Sequence, residues 1–304
     1  MIHLRTTTII LAAAALVSAA ATACSGTGSQ SAPVPTSSPA SSCHPGVGSA
    51  ENWIINSGEL SAARSVSPSS VGYAVSPQHL LVLVLRGQTS SSGQQVEDFR
   101  SYAEFKKAVG QGTVPAGVRW VMYDNERWSL TPVGEQADPV RYEQLFAMLA
   151  HRHGYKVILA PAQDLVLVYD RSSLRDGWPP WQSYLSMGLA TTSARYGDIY
   201  EIQAQRYEMS AYRSQHGYAS FVAAAAAQAR VANPKIVIYA GLSTQRASSA
   251  VQLLQDYLAT RDLVDGYWLN IPHQNQLGLV ALADQFFRSI PASASASAMA
   301  CGRT

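Results

Sequence analysis

From residue 79 onward the chain returns again and again to one unit: a short aliphatic, β-branched run, a polar break, then an amphipathic or Ala-rich stretch that stops near Gly or Pro. Six runs have strand character: HLLVLVLRG (79–87), RWVMYD (119–124), KVILAPAQ (156–163), DIYEIQAQ (198–205), KIVIYAG (235–241) and DGYWLNIP (265–272). Most are apolar on both faces, as strands buried within a parallel sheet are. The stretches between them read as crossover helices. Asp138 with Pro139 forms an N-cap and first-turn pair, and Tyr142, Leu145, Phe146 and Leu149 then fall at helical spacing before Gly154 ends the segment. VEDFRSYAEFKKAV, WQSYLSMGLATTSARYG, YASFVAAAAAQARVANP, SAVQLLQDYLATRD and QLGLVALADQFFRSI read as the other helices.

Strands alternating with helices imply a parallel sheet with helices outside, either closed or open. An open nucleotide-binding sheet would carry a Gly-rich phosphate turn after its first strand, and neither G-x-G-x-x-G nor G-x-x-x-x-G-K occurs. The expected fold class is therefore α/β, a parallel (β/α) TIM-type barrel. The two further strand candidates, WIIN (53–56) and VGYAV (71–75), are short, so the expected barrel is irregular or has fewer than eight regular strands.

The N-terminal part has a different composition. Residues 1–23 carry a short basic start and an unbroken run of small and apolar residues, the make-up of an export signal. Small residues at 21–23 before Cys24 resemble the lipobox of bacterial lipoproteins. That resemblance implies a lipidated Cys24 and anchoring to the outer face of the cell membrane; the alternative is ordinary secretion after cleavage near Ala23. Residues 24–50 are dominated by Ser, Pro, Gly and Thr, too poor in apolar surface to fold, and read as a tether to a barrel domain spanning 51–304. In an exported chain Cys43 and Cys301 are expected to form a disulfide, which would bring the two ends of the domain side by side.

Lys and Arg total 22 against 20 acids, a balance that offers nucleic acid no electrostatic hold. No metal is expected, because His151 and His153 sit at a spacing that separates them on a helix and have no third ligand nearby. No cofactor motif is present, a G-x-S-x-G elbow is lacking, and the expected state is a monomer.

In parallel barrels the site lies at the C-terminal ends of the strands. Polar residues close several of the runs: Tyr123, Asp124 and Glu126; Gln163 and Asp164; Glu201, Gln203, Gln205 and Arg206; Tyr239, Gly241 and Ser243; Trp268 and Asn270. Residues two apart on a strand share a face, so Asp124 pairs with Glu126, and Glu201 with Gln203 and Gln205. Neighbouring carboxyl groups push one another's pKa apart, giving a protonated acid beside an ionised base. Asp124, Glu126 and Glu201 are thus the candidate catalysts. Tyr123, Gln203, Gln205, Tyr239, Trp268 and Asn270 are the candidate ligand-binding residues, with Trp128, Trp178 and Trp181 as further sugar-stacking surfaces. Gln203 and Gln205 have a second reading as amides bonding one another in a core layer.

The apolar strand ending Asp124-Asn125-Glu126 is similar to the end of the catalytic strand in chitinase-type (family eighteen) glycoside hydrolases, which are barrels. The resemblance implies Glu126 as the acid and Asp124 as the group that orients the substrate's acetamido group. It covers about one strand, and the two positions upstream where that family has Asp are Arg119 and Met122 here. The expectation it supports is a membrane-tethered extracellular glycoside hydrolase acting on a poly- or oligosaccharide. The alternative is a non-catalytic carbohydrate- or envelope-binding barrel, since glutamines bind sugars and donate no catalytic proton.

Overall fold

A computed structural model describes residues 52–66, 68, 71, 75, 77–84, 90–169, 180–209, 217–272 and 277–291. Eight strands form a closed parallel barrel in which each strand pairs with its neighbours in sequence and the last pairs with the first: β1 (Asn52–Asn56), β2 (Leu80–Val84), β3 (Gln94–Phe99), β4 (Trp120–Tyr123), β5 (Lys156–Leu159), β6 (Ile199–Ile202), β7 (Val237–Ser243) and β8 (Gly266–Asn270). Closure is made by Trp53 opposite Tyr267 and Ile54 opposite Trp268. The TIM-type α/β fold is therefore present, with eight strands rather than fewer.

Two strand assignments are corrected. WIIN does form β1, whereas VGYAV supplies no strand among the described residues, and Val71 is helical. The eighth strand is instead Gln94–Phe99, which overlaps the segment read as helix from Val96. That helix starts only at Tyr102: Ser101 caps it by accepting the Glu104 amide at 3.0 Å, and Glu135 accepts the Tyr102 and Ala103 amides at 2.7 and 3.0 Å. Before Ser101 the chain has no helix to join, so its amides and carbonyls pair with β2 and β4 instead.

Among the described residues the helices are α1 (Ser57–Val66), α2 (Tyr102–Gln111), α3 (Val133–Ala137), α4 (Pro139–Arg152), α5 (Val166–Tyr169), α6 (Pro180–Ser186), α7 (Leu189–Tyr196), α8 (Tyr218–Ala232), α9 (Ala250–Thr260) and α10 (Leu277–Ser289). Asp138 and Pro139 start α4 as the sequence predicts, with Asp138 accepting the Arg141 amide. Gly188, at φ 77°, separates α6 from α7 within a segment read as one helix.

Alternation along the strands divides the core in two. Trp53, Phe99, Tyr123, Tyr200 and Tyr267 point outward to the helices: Trp53 packs edge-on against Phe286 and Phe287, and Tyr123 stacks on Phe146 at 4.8 Å. The inward set, Ile54, Leu81, Leu83, Val96, Met122, Ile158, Ala160, Ile199 and Tyr239, fills the barrel. A polar storey stands above it.

Candidate functional site

The polar storey follows from strand period alone. Two residues beyond inward-facing Val96, Met122 and Ile199 stand Asp98, Asp124 and Glu201, and two beyond Asp124 and Glu201 stand Glu126 and Gln203. The β4–β5 ladder outlasts the regular strands: Ala160 N–H donates to Tyr123 O at 3.1 Å and Ala162 N–H to Asn125 O at 3.0 Å. Asp124 and Glu126 therefore keep their common inward direction.

Asp124 is buried, and Gln203 Nε2 donates to its Oδ1 at 2.7 Å and to Ala160 O at 2.8 Å, so one amide ties together the tops of the neighbouring strands β4, β5 and β6. Burial, with Glu126 beside it, raises the Asp124 carboxyl well above the ordinary range. Glu201 is fully enclosed, neither carboxyl oxygen meets a hydrogen-bonding protein group among the described residues, and burial with the nearby Glu126 charge raises it strongly. Asp98 is pushed up to about 6 by burial against the opposing pull of Arg100, whose Nε lies 3.5 Å from Oδ2.

Glu126 differs from these because it is only half-buried and lines a cleft of about 420 Å³ at the C-terminal mouth. Burial first, then the charges of Asp164 and Asp98, push it up to about 7, while Arg100 and a hydrogen bond from Gln203 hold the rise back. The cleft runs over the tops of β4 to β8. Asp164 lines it beside Glu126, with Gln203, Gln205, Ser243, Gln245, Trp268 and Asn270, and with Arg206 and Arg246 on the β6 and β7 side.

The loop that carries Glu126 is pinned. Arg127 N–H donates to Asp164 Oδ1 at 3.1 Å, Trp128 Nε1 donates to Thr131 Oγ1 at 2.7 Å, and Thr131 Oγ1 donates to Arg100 O at 2.6 Å. The Trp128 ring is engaged by the Arg100 guanidinium at 5.5 Å. At Gly241 a side chain would collide with the amide of Gln205, so this glycine leaves the space in which that amide rests on β7.

Glu126, Gln203, Gln205, Trp268 and Asn270 are brought together around one cleft. Asp124 and Glu201 lie beneath it. Tyr123 is a correction: it points out of the barrel, and its hydroxyl donates to Glu135 at 2.8 Å, because a residue next to an inward Asp124 must face outward. Tyr239 is also corrected, since it is packed in the barrel interior with its ring over Gly266. Trp181 packs on Phe221 in the outer core, and Trp178, Cys24, Cys43 and Cys301 lie outside the described residues. Asp98, Arg100, Gln245 and Arg246 are new to the site; the alternation in QQVEDF is the one sequence signal that points to the first. No trio of His, Cys, Asp and Glu among the described residues is placed to hold a metal ion, and His151 instead meets Asp198 at 2.9 Å.

Neither the protein-family models nor the curated proteins contain a match to this chain. Among solved structures it is similar to a sugar phosphate isomerase/epimerase from Parabacteroides distasonis. The identity is 9%, the TM-score is 0.31, and the match covers 87% of this chain and 99% of that one. So distant a likeness carries no argument about ligand or chemistry.

The expectation of a glycoside hydrolase is corrected by the geometry of the barrel mouth. Two-carboxylate cleavage needs both acids at the scissile bond. Here Asp124 and Glu201, the proposed partners of Glu126, are sealed below the cleft, while Arg119 and Met122 stand where the chitinase-type motif has acids.

Proposed function

We propose that the cleft binds a hydroxyl-rich, carbohydrate-like small molecule and that Glu126 exchanges a proton with it. The observation that carries this reading is the placement of Glu126: of the inward acids on β3, β4 and β6, it is the one that lines the cleft, and its pKa of about 7 makes both protonation states available near neutrality. Gln203, Gln205, Gln245 and Asn270 offer both donors and acceptors, which suits hydroxyl groups that are themselves both. Trp268 offers an apolar face against which a sugar ring can lie.

The reaction such a site supports is removal and return of a proton beside a carbonyl group. Ionised Glu126 takes the proton from carbon, leaving an enolate, and the neutral acid gives it back. Asp164 favours the protonated form by its charge, and Gln203 opposes it.

Reducing sugars incubated with the protein in deuterated water test this by NMR. The expected result is loss of the C–H signal beside the carbonyl at a rate that climbs as pH passes about 7, with Glu126→Gln slower by about 10²-fold or more. Equal exchange by the variant overturns the assignment, and binding without exchange in the native protein reduces the site to a binder.

For location, we propose from the sequence that residues 1–23 direct export, that Cys24 is lipidated, that residues 24–50 tether the barrel to the outer face of the membrane, and that Cys43 bridges Cys301. Small residues at 21–23 and a tether composition directly behind Cys24 support it. Cys24→Ala should shift the protein from the membrane fraction to the soluble one; unchanged partitioning rejects the anchor.

A further inference from the structure

The cleft is electrically divided. Among the described residues its charged lining is Glu126 and Asp164 from the ends of β4 and β5, and Arg206 and Arg246 from the ends of β6 and β7. The arginine side is built on fixed backbone. Arg206 stands in the 3₁₀ turn Gln205–Glu208, whose next two residues are buried. Glu208 accepts the Ser243 amide at 2.9 Å, and Gln252 donates to the Glu208 carbonyl, so the turn after β6 is fastened to the top of β7 and to α9.

Arg246 leaves from the adjoining turn, where its own amide and that of Ala247 donate to Ser243 O at 3.2 and 3.0 Å, and the Gln245 amide donates to Ser243 Oγ at 3.2 Å. Its guanidinium rests against the Met209 sulfur, with Nη1 3.8 Å from Sδ, and among the described residues no carboxylate pairs with it. Two forked cations on neighbouring strand ends, flanked by Ser243 and Gln245, match the oxygens of a carboxylate or a phosphate.

We propose that the Arg206–Arg246 side of the cleft is an anion subsite and that the ligand is an acidic sugar, carrying a carboxylate or phosphate group that these arginines hold while its sugar ring reaches Glu126. This rests on the proposed function and narrows it. The division of charge fixes the ligand's direction in the cleft, because the anionic end is repelled by Asp164 and drawn to the arginines.

Calorimetric titration of the intact protein with glucose, glucuronate and glucose 6-phosphate tests the subsite, beside the double variant Arg206→Gln/Arg246→Gln with its fold checked by circular dichroism. In low salt an acidic sugar should bind at least about tenfold more tightly than glucose, less so as salt is added. The double variant should bring it down to the affinity of glucose. Preference for glucuronate alone identifies a carboxylate subsite, and preference for the phosphate ester alone a phosphate subsite. Equal binding of all three by the native protein overturns the subsite and leaves the proposed function standing, as does a preference that survives in the double variant. If none of the three binds, the carbohydrate reading falls and the subsite falls with it.

Discussion

The lower and upper storeys of the barrel interior are built on the same faces of the same strands, yet they are chemically opposite. Val96, Met122 and Ile199 give way, one strand period later, to Asp98, Asp124 and Glu201. The lower storey gains stability by removing apolar surface from water. The upper one places carboxyl groups where solvation is poor, and their raised pKa values record that cost. A single pleat repeat thus separates the layer that holds the barrel shut from the layer that supports the cleft.

Truncation in the lower storey should break the comparison most severely. Ile199→Ala leaves a cavity among Met122, Ile158 and Tyr239 and should cost about 2–5 kcal/mol in denaturant unfolding. A loss below about 1 kcal/mol would mean that this storey is not the tightly packed one.

Glu201→Gln sharpens the comparison with a smaller, pH-dependent effect. The folded pKa of Glu201 lies well above the unfolded one, so the folded state holds a proton that the unfolded chain releases. The group's contribution to stability is fully present below the unfolded pKa and is lost as pH rises from there through the folded value. The variant has no such proton and should gain on the native protein as pH climbs from the ordinary carboxylate range towards neutrality, by at most about 1.4 kcal/mol per pH unit. A difference in melting temperature that stays flat across this range contradicts the picture of a neutral, enclosed acid.

The same contrast explains what was legible in the sequence. Runs such as KVILAPAQ and KIVIYAG declare themselves because both faces are apolar. Gln94–Phe99 does not, since its inward face ends on Asp98 and its outward face carries Glu97, and two adjacent acids followed by Glu104 and two lysines resemble a solvated helix. Strand period placed Asp124 and Glu126 on one face, and the same rule, applied one residue earlier, turns Tyr123 out to the helices. Whether a carboxyl opens on the cleft depends on height in the barrel, which the stagger between strands sets and local pattern does not carry. Asp164, Gln245 and Arg246 stand in turns, where no periodicity marks a direction.

Gly241 makes two positions on neighbouring strand ends sterically dependent on each other. With only hydrogen on that α-carbon, the Gln205 amide can lie flat on the neighbouring strand; any larger residue at 241 would turn it away. The atoms displaced are the far end of a flexible chain, so folding would tolerate the exchange while the cleft lost an amide. A shorter side chain at 205 would remove the collision, so the room available at 241 is set by the residue at 205.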